Sequence, residues 1–131
     1  MFNHILDYSL KESDKNGLHA IFSDSKFEYE IHIKTDSVDQ RFLTVSIIAG
    51  MDGINKNDDL TGFGKPIPVL STTIKIILEH LNIHGTRPIR LLAVDEQRCK
   101  LYYNITRKIF KNWYIFIAGN NVIVLPLSYF E

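Results

Sequence analysis

The sequence lacks the residues and runs that would staple a chain or anchor it in a membrane. It has one cysteine, Cys99, so an internal disulfide is excluded, which fits a reducing compartment. No apolar run approaches the roughly 18 residues that span a bilayer. The start, Met1-Phe2-Asn3-His4, has no basic stretch leading into an apolar one, so no secretory signal is expected and the expected location is the cytoplasm. Internal repeats and Pro/Gly/Ser-rich linkers are also missing, which predicts one domain. Net charge is zero, with 15 basic and 15 acidic side chains.

What is present suffices for a core. The chain has 131 residues, 45% of them hydrophobic and 11% aromatic, which excludes wholesale disorder. The neutral total hides a division. Residues 1–60 carry 6 basic against 11 acidic side chains, and residues 61–131 carry 9 against 4. The halves either attract each other within one fold or present an acidic and a basic face to a charged partner.

The first half reads as strands. Lys26–Lys34 alternates apolar and polar residues, placing Phe27, Tyr29, Ile31 and Ile33 on one face and Glu28, Glu30, His32 and Lys34 on the other. Phe42–Ala49 and Leu18–Ser23 predict two more strands, the latter turning through Asp24-Ser25, and a weaker strand is expected near Ile5–Leu10. Residues 50–66 are loop by composition. The period then changes: Leu70, Thr73, Ile74, Ile77, Leu78 and Leu81 form one helical stripe, ended by Gly85 and Pro88. Ile89–Val94 predicts a strand leading into Asp95 as helix N-cap. A second helix to about Phe110 packs Leu101, Tyr102, Ile105 and Ile109 inward. Trp113–Ala118 and Val122–Leu127 predict a hairpin across Gly119-Asn120-Asn121. The class is α+β, with a mostly antiparallel sheet and two helices.

Few constellations carry chemistry. Thr61-Gly62-Phe63-Gly64-Lys65 can cradle an anion at a helix start, or simply turn the chain into the helix. His80 and His84 share a helix face but lack a third ligand, so no metal site is expected. Cys99 lies near a helix start with no histidine beside it, and Ser71-Thr72-Thr73 offers hydroxyls without a base. Arg87, Arg90, Arg98, Lys100, Arg107, Lys108 and Lys111 make a basic series, and Lys100, Asn104, Arg107, Lys108 and Lys111 can share the exposed face of the second helix.

Thr61-Gly62-x-Gly64, then Val69, Thr72 and Ile76-Ile77, then Ala93, Asp95-Glu96, Arg98 and Lys100-Leu101-Tyr102, form a pattern that resembles a group of small proteins encoded by bacteriophages and related bacterial elements. Residues 61–118 also look like a reduced GCN5-related N-acetyltransferase core, a β-α-β-α-β segment. That resemblance implies coenzyme A pyrophosphate at the backbone of Gly62 and Gly64, and Tyr102 as proton donor to a leaving thiolate. Asp59 stands where the family has Arg or Gln, and Pro66 and Pro68 lack N–H donors where the anion would sit.

The leading expectation is therefore a small non-enzymatic binding protein without a cofactor, plausibly of phage or mobile-element origin. It would act by occupying a host factor, a defence component or a toxin. Its expected partner surface is Asp52, Asp58, Asp59 and Phe63 from the long loop with Lys100, Arg107, Lys108 and Lys111 from the second helix. The alternatives are an acetyl-coenzyme A-dependent acyltransferase of degenerate type, and nucleic-acid binding through Arg98–Lys111.

Overall fold

The computed structural model describes residues 6–23, 28–50 and 66–127. Period-two sequence becomes strand. The first four are β1 (Tyr8–Asp14), β2 (Gly17–Ser23), β3 (Glu28–Thr35) and β4 (Leu43–Gly50). Leu18, Ala20 and Phe22 of β2, Tyr29, Ile31 and Ile33 of β3, and Leu43, Val45 and Ile47 of β4 are all buried on one face. Register aligns them across the strands: Ala20 stands opposite Ile31, and Ile31 opposite Ile47. The intervening residues, among them His19, Glu30, His32, Thr44 and Ser46, alternate onto the other face.

The chain continues through α1 (Pro66–His84), β5 (Ile89–Leu92), α2 (Glu96–Ile109), β6 (Trp113–Ala118) and β7 (Asn121–Pro126). All seven strands form one sheet in the order β1-β2-β3-β4-β5-β7-β6. Every neighbouring pair is antiparallel except β4 and β5. Parallel neighbours need a crossover, and α1 supplies it. Both helices join the same core as the inward strand residues. Val69, Leu70, Ile74, Ile76, Ile77 and Leu81 of α1, and Cys99 and Tyr102 of α2, pack against Val45, Ile89, Leu91, Val122 and Val124. On the other face Phe42, Ile123 and Leu125 form a small separate cluster. The α+β class and the mostly antiparallel sheet are as the sequence predicts.

Punctuation is local. Asp95 caps α2, its Oδ1 accepting the Arg98 N–H at 2.8 Å. Gly85 follows α1 with φ 104°, a conformation open to glycine, and donates its N–H to the Leu81 carbonyl. Arg87 fastens three connections: Nη2 donates to the Gln40 carbonyl at 2.6 Å and Nη1 to that of Lys15 at 3.1 Å.

Several expectations need correction. The first strand lies at Tyr8–Asp14, later than Ile5–Leu10, because it is an outer strand exposed along most of its length and carries no alternation. It bears Lys11, Glu12 and Asp14, and its register shifts between Leu10 and Glu12. At the other end of the sheet β6 has no charged residue and leaves Tyr114, Phe116 and Ile117 54%, 44% and 42% exposed. Leu78 is 40% exposed, because the buried face of α1 turns toward Val69, Ile76 and His80. Leu101, Ile105 and Ile109 pack inward against the core as expected but stay partly exposed, and Val94 lies beyond β5 in the open. The Asp24-Ser25 turn and most of the long loop lie outside the described residues.

Candidate functional site: the parallel seam

The one parallel step in the sheet is also its shortest. Leu43, Thr44 and Val45 of β4 face Ile89, Arg90 and Leu91 of β5, and pairing stops there. β4 runs on to Gly50 against β3, while the chain leaving β5 turns toward β7, with the Ala93 N–H on the Asn120 carbonyl at 3.1 Å. β5 therefore ends at Leu92 while β4 continues for five residues past its last parallel pair. Leu43 donates its N–H to the Pro88 carbonyl. By the alternation of a strand, Ile47 and Ala49 then also turn their N–H and C=O toward the β5 side. Among the described residues, none of β5 stands opposite them.

Beside the opening, on the face without helices, lies a concavity of about 430 Å³ lined by His32, Lys34, Asp36, Thr44, Ser46 and Leu92, among others. That is the size of a small-molecule site. Its charge is fixed on one side. The Thr44 hydroxyl, 2.7 Å from Asp36 Oδ1, is the main cause holding the Asp36 carboxyl below its usual range. Backbone N–H groups of Asp39 and Val38 add to this, as does Arg90 with Nε at 3.5 Å. Asp36 is therefore an anion at neutral pH, and Lys34 sets a cation in the same lining.

The residues singled out in the sequence are dispersed. Lys100, Arg107, Lys108 and Lys111 are all exposed. Lys100 lies 3.3 Å from Glu96, and the Arg107 guanidinium lies 5.3 Å from the centre of the Tyr103 ring. Arg98 is buried and pairs with Asp95, so it leaves the basic series, as do Arg87 and Arg90 through the contacts above. Tyr102 is 2% exposed, on the helix side of the sheet. Asp52, Asp58, Asp59, Gly62, Phe63 and Gly64 lie outside the described residues. The Thr72 and Thr73 hydroxyls donate to the carbonyls of Pro68 and Val69 one turn back, so neither needs a base to explain its place. Cys99 is buried, and burial, then Glu96, pushes its thiol above the ordinary range. The rings of His80 and His84 lie 4.7 Å apart between centres and tilted by 45°, with His80 buried.

Comparison with known protein families, with curated proteins and with solved structures gives no match. No helix among the described residues is long and apolar enough to cross a membrane.

Proposed function

We propose that the chain is a binding protein for an acylated coenzyme A-type thioester, whose amide-bearing arm lies in the seam between β4 and β5. The observation that supports the reading is the three-residue pairing of the parallel step, after which β4 runs on against β3 with no described residue of β5 opposite it. An extended arm with two amides is a strand-like ligand, and strand addition along the β5 side of Ile47 and Ala49 would supply its hydrogen bonds. The ligand class is taken from the resemblance of residues 61–118 to the acetyltransferase core, and the seam supplies only a place for its arm. The reading stops at binding, because Tyr102 is enclosed in the core and Pro66 and Pro68 thin the N–H donors at the start of α1.

The test is a thermal melt and calorimetric titration with acetyl-coenzyme A and with an acetylated pantetheine lacking the nucleotide. Both should stabilise the fold, by about 2.7 kcal/mol at a hundredfold excess over the dissociation constant. Ala49→Pro removes an N–H that faces the seam and leaves the β3 ladder its donors, so it should abolish the effect. No shift with either ligand would sink the reading.

A second reading has its own observation. β6 ends the sheet with half-exposed Tyr114, Phe116 and Ile117, and the cationic Arg107, Lys108 and Lys111 precede it directly. Apolar anchors beside charge suit an acidic protein partner, with the inhibitor or immunity role expected from the sequence. Arg107→Glu with Lys108→Glu would weaken that partner and leave thioester binding unchanged. A steep loss of affinity with salt would mark nucleic acid instead.

A further inference from the structure

We infer that His19, Glu30 and His32 form a site for a divalent first-row transition ion, Zn²⁺ being the natural probe. The site follows from register. His19 of β2 and His32 of β3 are direct cross-strand partners, and Glu30 precedes His32 by two residues, so all three project from the face without helices. The two imidazoles stack with centres 4.3 Å apart and planes 16° from parallel. Both Nε2 atoms converge on one carboxylate oxygen: Glu30 Oε1 lies 2.8 Å from His19 and 3.8 Å from His32. The three ligand atoms all lie within 4.8 Å of one another.

A tetrahedral zinc with bonds of about 2.0–2.2 Å holds its ligand atoms roughly 3.3–3.5 Å apart. Two edges of the triangle, 2.8 and 3.8 Å, bracket that spacing. His19 Nε2 and Glu30 Oε1 lie at hydrogen-bond distance, 2.8 Å, and a metal ion bound between them would take the place of the proton they share. Two imidazole nitrogens with one carboxylate favour a borderline ion such as zinc over calcium or magnesium, which prefer oxygen ligands throughout. The side chains are 27%, 16% and 26% exposed in the order His19, Glu30, His32, dry enough to hold an ion and open enough to admit one. Three protein ligands leave a fourth position for water or an anion, beside the concavity that His32 also lines. This inference does not depend on the thioester reading.

The experiment is a titration of the full chain with Zn²⁺ alone against a competing chelator. It is repeated with His19→Ala, Glu30→Gln, His32→Ala and, as a control on a different histidine pair, His84→Ala. The expected result is one ion per chain, weakened tenfold or more by each of the first three changes and unaltered by the fourth. In the unsubstituted chain, NMR should show the ring signals of His19 and His32 shifting together with added Zn²⁺. That readout stands even if a variant fails to fold. Absence of binding, loss with His84→Ala, or full retention with Glu30→Gln would each overturn the site.

Discussion

Asp95 and Arg98 are bound to each other twice. One carboxylate oxygen of Asp95 caps α2 by accepting the Arg98 backbone N–H at 2.8 Å, and the other pairs with the Arg98 guanidinium. One side chain thus both starts the helix and neutralises a cation that α2 carries into a buried position.

Separating the two roles gives the first prediction. Asp95→Asn keeps a cap and loses the charge; Asp95→Ala loses both. The alanine variant should cost about 2–3 kcal/mol in a denaturant melt, from a cap worth about 1 kcal/mol and a charge-assisted bond discounted because Asp95 is half exposed. The asparagine variant should fall between it and the original chain. Equal stability of all three would show that Arg98 is held without Asp95.

The second prediction fixes the face of α1. Ile77→Ala should cost about 2–5 kcal/mol, as expected for a buried aliphatic side chain. Leu78→Ala, on the exposed side, should cost under about 1 kcal/mol. Reversal of that order in urea melts would place the helix in another rotation.

His80 gives a pH dependence. Burial, then His84, then Arg87, lower its pKa from 6.5, and Asp14 opposes them weakly. The unfolded chain therefore takes up a proton near pH 6.5 that the folded chain refuses. The contribution of a neutral His80 is fully present above that pH and is lost as pH falls below it. Stability of the original chain minus that of His80→Leu should fall on acidification from pH 7.5 toward 5. A difference that stays constant, or rises, would contradict the assignment.

Cys99 gives a kinetic prediction. A buried thiol, pushed above its ordinary range, reacts only when the surrounding structure opens. Alkylation of the native chain should be slow and should accelerate sharply in denaturant. Prompt alkylation of the native chain, at the unfolded rate, would mean that α2 is not seated as described.

The order of the elements was legible because the hydrophobic period switches from two to about 3.6 after residue 66, and Asp95 and Gly85 mark helix ends by their own chemistry. β1 was not, because a strand exposed along most of its length has no inward face to pattern. Leu78 misled because it continues the spacing of Ile74 while lying between Lys75 and Glu79 on the wet side. The candidate sites were hidden for a different reason. Glu30 and His32 stood on one face of a strand from the alternation alone, but His19 joins them only through the register of β2 on β3. The open seam depends on where β4 and β5 cease to pair. Neither quantity is written in a local pattern.

The two ends of the sheet differ, and that governs how copies of the chain can associate. At β1, Lys11, Glu12 and Asp14 with a shifted register oppose the addition of another strand. β6 itself carries no charged side chain. A sheet that is receptive at one border and guarded at the other can join a second copy back to back across a two-fold axis, and then has no receptive border left. If copies of the chain join through strand edges, pairing of β6 with β6 would end at a closed pair and would not run on into a fibre.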